Sequence, residues 1–212
     1  MTDATHPAPA VGNVEAAAVL AFWLEDALDL GWPSRDLGAL WFGGGAALDR
    51  DIEQRFGDLV RQALAGGLMP WESDARQRLA LVILLDQFPR NMFRGSGRAF
   101  DGDLRAQALV QDGLQRGWDR ALPLAGAIFF YMPLMHAEDL ALQERCVQCF
   151  SDLLATAPPD RQEGLQSNLK FAREHRDIVA RFGRFPHRNA ALGRTSSAAE
   201  LAFLQGGPRY GQ

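Results

Sequence analysis

The sequence predicts one all-α domain of antiparallel helical hairpins, about eight helices packed around a single buried central helix. Three observations carry this. Apolar residues recur at helical spacing almost throughout, and no stretch alternates long enough between turn residues to read as a strand. The segment holding Leu79, Leu81, Val82, Ile83, Leu84, Leu85 and Phe88 is apolar on every side, so other helices must surround it. Finally, a chain of 212 residues, 47% hydrophobic and 23% charged, can bury a sizeable core with no disulfide or metal to hold it.

Taken in order, residues 1–12 carry Pro7, Pro9 and Gly12 among small residues and predict a disordered leader. The domain is expected over 13–205, with helices at about 14–29, 46–65, 72–88, 102–116, 121–132, 137–156, 159–182 and 197–205, and a frayed tail over 206–212. Gly66-Gly67 and Gly117 stop two helices, because glycine takes the left-handed C-terminal conformation at little cost. Pro159 suits a first helical turn. Ser197-Ala198-Ala199-Glu200 fits a capping box, the hydroxyl serving the third amide and the glutamate reaching back to the first. Segments 61–91 and 108–138 share a rough plan with Trp71 and Trp118 at matching places. The likeness supports hairpin stacking and nothing finer.

Composition excludes several classes. A net charge of −4 and a pI near 5.6 argue against a coat for nucleic acid, so nucleic acid is an unlikely partner. Two cysteines make no disulfide scaffold. The apolar run Leu122–Met135 is interrupted by Pro123, Gly126 and Pro133 and is too short to span a bilayer, so no membrane association is expected. The first residues lack a basic stretch followed by an apolar one, and so do not read as a secretory signal. A cytoplasmic protein is expected. Cys146 and Cys149 spell C-x-x-C, but mid-helix on an apolar stripe, where buried cysteines behave as small hydrophobes. Gly43-Gly44-Gly45 lacks the lysine and serine or threonine of a phosphate loop and reads as a joint. No Gly-x-Ser-x-Gly elbow is present.

Polar residues gather in three places: Asp86-Gln87-Phe88-Pro89-Arg90-Asn91-Met92-Phe93-Arg94-Gly95, Tyr131 to Asp139, and His175 to Asn189. The strings LDQFPRNMFRG, FYMPLMHAEDLALQ and HRDIVARFGRFPHRNAALGR resemble an uncharacterised bacterial family, domain-of-unknown-function family 924. The resemblance runs from about Val19 to Leu204. It implies an all-helical, tetratricopeptide-like fold and no particular activity, so it assigns a role to no residue.

The residues themselves leave alternatives open. Phe171, His175, Ile178 and Phe182 share one helix face, so His175 is either a core histidine held by a buried hydrogen bond or a neutral base at a pocket wall. Residues 173–194 hold six arginines against Glu174 and Asp177, a local +4 within an acidic chain. That loop is either a solvated surface or an anion cradle, arginine's planar fork being suited to carboxylate and phosphate; RNA contact ranks below both. Gln87, Arg90 and Asn91 either satisfy the carbonyls of a buried helix end or face a ligand with Arg94. His136, beside Glu138 and Asp139, starts a helix whose first-turn acids need no function to explain them. No ligand spacing for a metal appears, and no metal or cofactor is expected.

The leading expectation is a small-molecule site, with or without catalysis, for an anionic ligand. Gln87, Arg90, Asn91, Arg94, Arg184, Arg188 and Asn189 are its binding candidates. His136, His175 and His187 are the titratable candidates, with Asp139 or Asp177 orienting them. The alternative is an adaptor whose stacked hairpins hold a partner protein or peptide in a concave groove, resting on fold analogy alone. The phrases Phe-Pro-Arg-Asn and Phe-Pro-His-Arg-Asn echo one another, and their arginines face one site if both loops lie at one end of the bundle.

Overall fold

The computed structural model describes residues 11–207. Helix α1 (Val11–Leu24) buries Ala16, Val19, Leu20, Trp23 and Leu24 along one stripe. The helix expected to run on to 29 breaks at Glu25, which takes a left-handed φ of 47° before the short α2 (Ala27–Leu30). The break is held from downstream: Asp26 accepts the Ser34 amide at 3.1 Å, and Glu25 pairs with Arg35. Periodicity cannot register such a tie.

After a π turn at Ala39–Gly43, Gly44 and Gly45 adopt φ of 62° and 131° and deliver the chain into α3 (Ala46–Leu64). This amphipathic helix buries Ile52, Phe56, Val60 and Ala63. Asp74 then caps α4 (Ala75–Val82), accepting the amides of Arg76 and Gln77 at 3.0 Å. The same helical path continues through a wide π turn at Ile83–Gln87 into α5 (Phe88–Met92). Pro89 explains the widening. It has no amide to bond the preceding turn, and the Phe88 amide reaches back to the Ile83 carbonyl instead. Such insertions in α-helices occur often at functional sites.

Helix α6 (Asp103–Gln115) stops at Gly117, φ 70°, as expected. It packs against α7 (Leu124–Met135) so closely that a β-carbon on Gly113 would strike the Phe130 ring. Every residue of α7 from Ala125 to Met135 is buried. The domain is therefore built around two largely buried helices, the α4–α5 run, buried from Arg78 to Pro89, and α7, where one was expected. The apolar sequence that looks like a failed membrane span is in fact core. Helices α8 (Leu140–Thr156) and α9 (Gln162–Phe182) form an antiparallel hairpin through a short turn at Pro159–Arg161. Cys146 and Cys149 are buried on α8, and burial pushes both thiols up, Cys149 to about 11; they are core residues without the acidic thiol of a redox pair.

Gly183, φ 70°, closes α9. The loop beyond it folds over a small satellite core of Ile178, Val179 and Phe185 before α10 (Ala198–Gly206), whose Ser197–Glu200 capping box is present as the sequence predicts. No strand occurs among the described residues, and no helix is long and apolar enough to cross a membrane. Residues 1–10 of the expected leader and 208–212 of the expected tail lie outside the described residues. Val11 and Gly12 already belong to α1, and Gly206 closes α10.

Candidate functional site

The three polar stretches meet at one end of the bundle. The π turn supplies Asp86 and Gln87, α5 supplies Arg90, the first turn of α6 supplies Asp103, the end of α7 supplies His136, and the loop after α9 supplies His187 and Arg188. The close approach that permits this is made at Gly102, where a β-carbon would collide with the Leu85 carbonyl oxygen. Without it, Asp103 could not sit against Arg90.

Asp86 is fully buried and accepts hydrogen bonds from Gln87 Nε2 and from His136 Nδ1, the latter at 2.8 and 3.0 Å. Burial raises its carboxyl, but Arg90 and His136 outweigh burial and hold its pKa below the usual carboxylate range. His136 is shifted down, first by burial and then by Arg90 and Arg188, against the opposing pull of Asp86. A neutral imidazole facing an ionised carboxylate through Nδ1 must carry its proton there. Nε2 is then a lone pair, and it makes no hydrogen bond among the described residues. This is the arrangement of an oriented general base.

Arg90 faces both oxygens of Asp103, at 2.9 Å to Oδ1 and 3.0 Å to Oδ2, and also donates to the Asp86 carbonyl. The Oδ1 contact is an ion pair whose angle falls short of a hydrogen bond. Arg188 donates through Nη1 to the His136 carbonyl at 3.0 Å and reaches Asp103 Oδ2 at 3.4 Å. The rings of Phe100 and Phe185 lie 4.6 and 4.5 Å from its Cζ. Burial and the nearby Arg90 bring its pKa down to about 10, so it stays charged at neutral pH. Its Nε is buried with no partner among the described residues, and Nη2 makes no hydrogen bond among them either. One two-donor edge of a buried guanidinium is thus left over.

His175 and His187 flank the same place. Their rings lie 5.5 and 5.4 Å from that of Phe185. His175 donates from Nδ1 to the Phe171 carbonyl at 2.8 Å. Burial, chiefly, lowers His175 to about 3, and burial with Arg188 lowers His187 to about 4. All three candidate histidines therefore share one cluster, and all are neutral there.

The other candidates fall outside it. Asp139 caps α8 by accepting the Leu142 amide at 2.9 Å, and Asp177 forms an exposed pair with Arg176. Neither orients a histidine; Asp86 does that for His136. Asn91 and Arg94 both go to Asp49 on α3. Arg184 forms a bidentate pair with Glu200 at 2.7 and 2.9 Å, and Asn189 reaches Glu200 at 3.4 Å. These two pin α10 to the loop. Four carboxylates that organise the region were missing from the candidates. Asp86 had a signal, a lone acid inside an apolar helix, which is costly unless paired. Asp103 and Glu138 had none, since a first-turn acid is ordinary, and Glu200 was marked only as half of a capping box. Glu138 takes Arg194 at 2.5 and 2.8 Å and the Phe185 amide at 2.8 Å, clasping the loop over the cluster.

Comparison with known proteins places the chain among proteins of similar sequence and fold. Residues 19–208 match the model of a bacterial protein family of unknown function, DUF924. A solved structure of ATU0120 from Agrobacterium tumefaciens, a protein of unknown function, is 36% identical with a TM-score of 0.77; the match covers 92% of this chain and 99% of that one. No curated protein matches.

Proposed function

The chain belongs to the bacterial protein family DUF924, and we propose that the clustered end of its bundle binds a small molecule through an oxyanion and can take a proton from it. The observation that carries this is the Nε–Nη2 edge of Arg188, a buried cation whose Nε is left unsatisfied among the described residues. Buried donors are almost always paired in native proteins, so an exception asks for a partner. A carboxylate or phosphate satisfies such an edge with two parallel charge-assisted hydrogen bonds. His136, oriented by Asp86, supplies the base; Phe100 and Phe185 hold the arginine; His175 and His187 add neutral walls.

The second reading is a tetratricopeptide-like adaptor. It draws on a different face, where an open cleft of about 590 Å³ is lined by Phe22, Leu40 and Leu48 from the α1–α3 region, with Arg55 stacked on Phe22. It ranks second because the histidines and arginines gather in one cluster, whereas a peptide groove would spread them along its length. A cytoplasmic location accords with either reading.

The test is a titration of the protein with sodium acetate and with inorganic phosphate, followed by NMR at the arginine Nε–H and histidine ring resonances. Saturable shifts at Arg188 and His136, absent in Arg188→Met, are expected. Shifts confined to exposed arginines, or persisting in Arg188→Met, overturn the proposal.

A further inference from the structure

We infer that Asp103 makes this site selective for a single carboxylate, so that its ligand is a monoanionic organic acid and not a phosphorylated compound. The inference rests on the Arg188 edge being the ligand site. It concerns a residue that none of the sequence motifs singled out.

The cluster is charge-balanced before any ligand arrives. Asp86 and Asp103 stand against Arg90 and Arg188, with His136 neutral between them. Arg90 commits both Nη1 and Nη2, holding both oxygens of Asp103 and the main chain of Asp86. Arg188 gives Asp103 only Nη1, at the long distance of 3.4 Å. The carboxylate of Asp103 is therefore offset mainly by Arg90, and Arg188 keeps one edge for a visitor. That visitor approaches a guanidinium already beside a fixed negative charge. One carboxylate places its single charge on the two remaining donors. A dianionic phosphate brings a second charge and a third oxygen beside Asp103; the two phenyl rings flanking Arg188 offer it no donor, and the neutral His175 and His187 offer no positive charge to meet it. In a partly desolvated site an uncompensated like charge costs far more than it does in water.

The experiment uses the full chain at mildly alkaline pH, where inorganic phosphate is mainly a dianion, and reads the Arg188 Nε–H resonance. Acetate is expected to bind more tightly than phosphate by about tenfold, the order set by one extra like charge at intermediate dielectric. In Asp103→Asn, which keeps the shape and removes the charge, that preference should collapse. Phosphate binding the unaltered protein as tightly as acetate overturns the inference, and so does a preference that survives in Asp103→Asn. Should Asp103→Asn fail to fold, direct competition of phosphate against acetate on the unaltered chain decides the matter alone. Failure of both anions to perturb Arg188 has a different meaning: it removes the oxyanion site itself, and the selectivity goes with it.

Discussion

Two short phrases, Phe88-Pro89-Arg90-Asn91 and Phe185-Pro186-His187-Arg188-Asn189, lie far apart in sequence and come together at Asp103. Each sends its arginine to that carboxylate and against Phe100, and each sends its asparagine away from it to another acid, Asn91 to Asp49 and Asn189 to Glu200. The likeness ends at how fully the arginines are used. Arg90 uses both Nη1 and Nη2 on Asp86 and Asp103, whereas Arg188 uses Nη1 alone and leaves a buried Nε without a partner among the described residues. The same letters thus serve stability in one place and leave capacity for recognition in the other. What separates the two roles is which nitrogens find acceptors, and that the Nε of Arg188 is buried without one among the described residues.

The largest expected effect tests Arg90. Arg90→Met leaves Asp86 and Asp103 buried with much of their compensation gone, and breaking a buried pair in this way costs about 3–5 kcal/mol. Chemical denaturation should show a loss of that order. Arg188→Met should cost less, about 1–3 kcal/mol, because Asp103 keeps Arg90, while oxyanion binding disappears. Equal losses from the two substitutions would erase the distinction between them.

Acid should act on the cluster as a whole. His175 and His187 bind a proton more weakly folded than unfolded, at about 3 and about 4 against an ordinary 6.5. As pH falls, the unfolded chain takes up protons first. The stability these histidines contribute is complete above pH 6.5 and drains away between there and their folded values. Each supplies a slope of about 1.4 kcal/mol per pH unit inside its window. Asp86, with its lowered carboxyl, works in the same direction further down. Denaturation midpoints followed from neutral pH downward should fall accordingly, and His175→Leu should flatten the slope. An unchanged slope would mean that burial does not suppress protonation there.

How much of this was legible beforehand follows from which forces are local. Helix existence, the stop at Gly117 and the Ser197 capping box depend on neighbours a few residues away, and the sequence displays them. The buried character of α4 was equally plain. That of α7 was written just as clearly in Leu124–Met135, yet it reads as a membrane question until its prolines answer it. The break at Glu25 and the π turn at Ile83–Gln87 depend on a distant hydrogen bond and on a missing proline amide, which periodicity does not register. Within the site, Arg90, Arg188 and the three histidines stood out as unusual residues in unusual company. Their acidic partners did not, because Asp103 and Glu138 look like ordinary first-turn acids and gain their meaning only from side chains brought in across the fold. Asp139 and Asp177 seemed better partners by proximity in sequence, and proximity in sequence is a poor guide to which carboxylate a histidine meets.

The smallest expected effect concerns what holds Arg188 in place. Its loop has no regular helix ladder between Gly183 and Ser197 beyond the turn at Pro186–Arg188, so side chains must anchor it. Glu138 does so by taking Arg194 through both oxygens and the Phe185 amide through one. Arg194 and Glu138 are each about a quarter exposed, and water screens much of their attraction; a bidentate pair so placed contributes about 1 kcal/mol. Glu138→Gln should therefore lower the melting temperature by only a few degrees. Its effect on the loop should be disproportionate. Amide hydrogen exchange at residues 183–194 should quicken while that of α4 and α7 stays unchanged, because a local opening draws on the least stable part of the structure first. If the Arg188 edge is presented by this clasp, acetate affinity falls in step with the loss of protection. If affinity holds while the loop opens, the two phenyl rings alone position the guanidinium, and Arg188 resembles Arg90 more closely than their unequal bonding suggests.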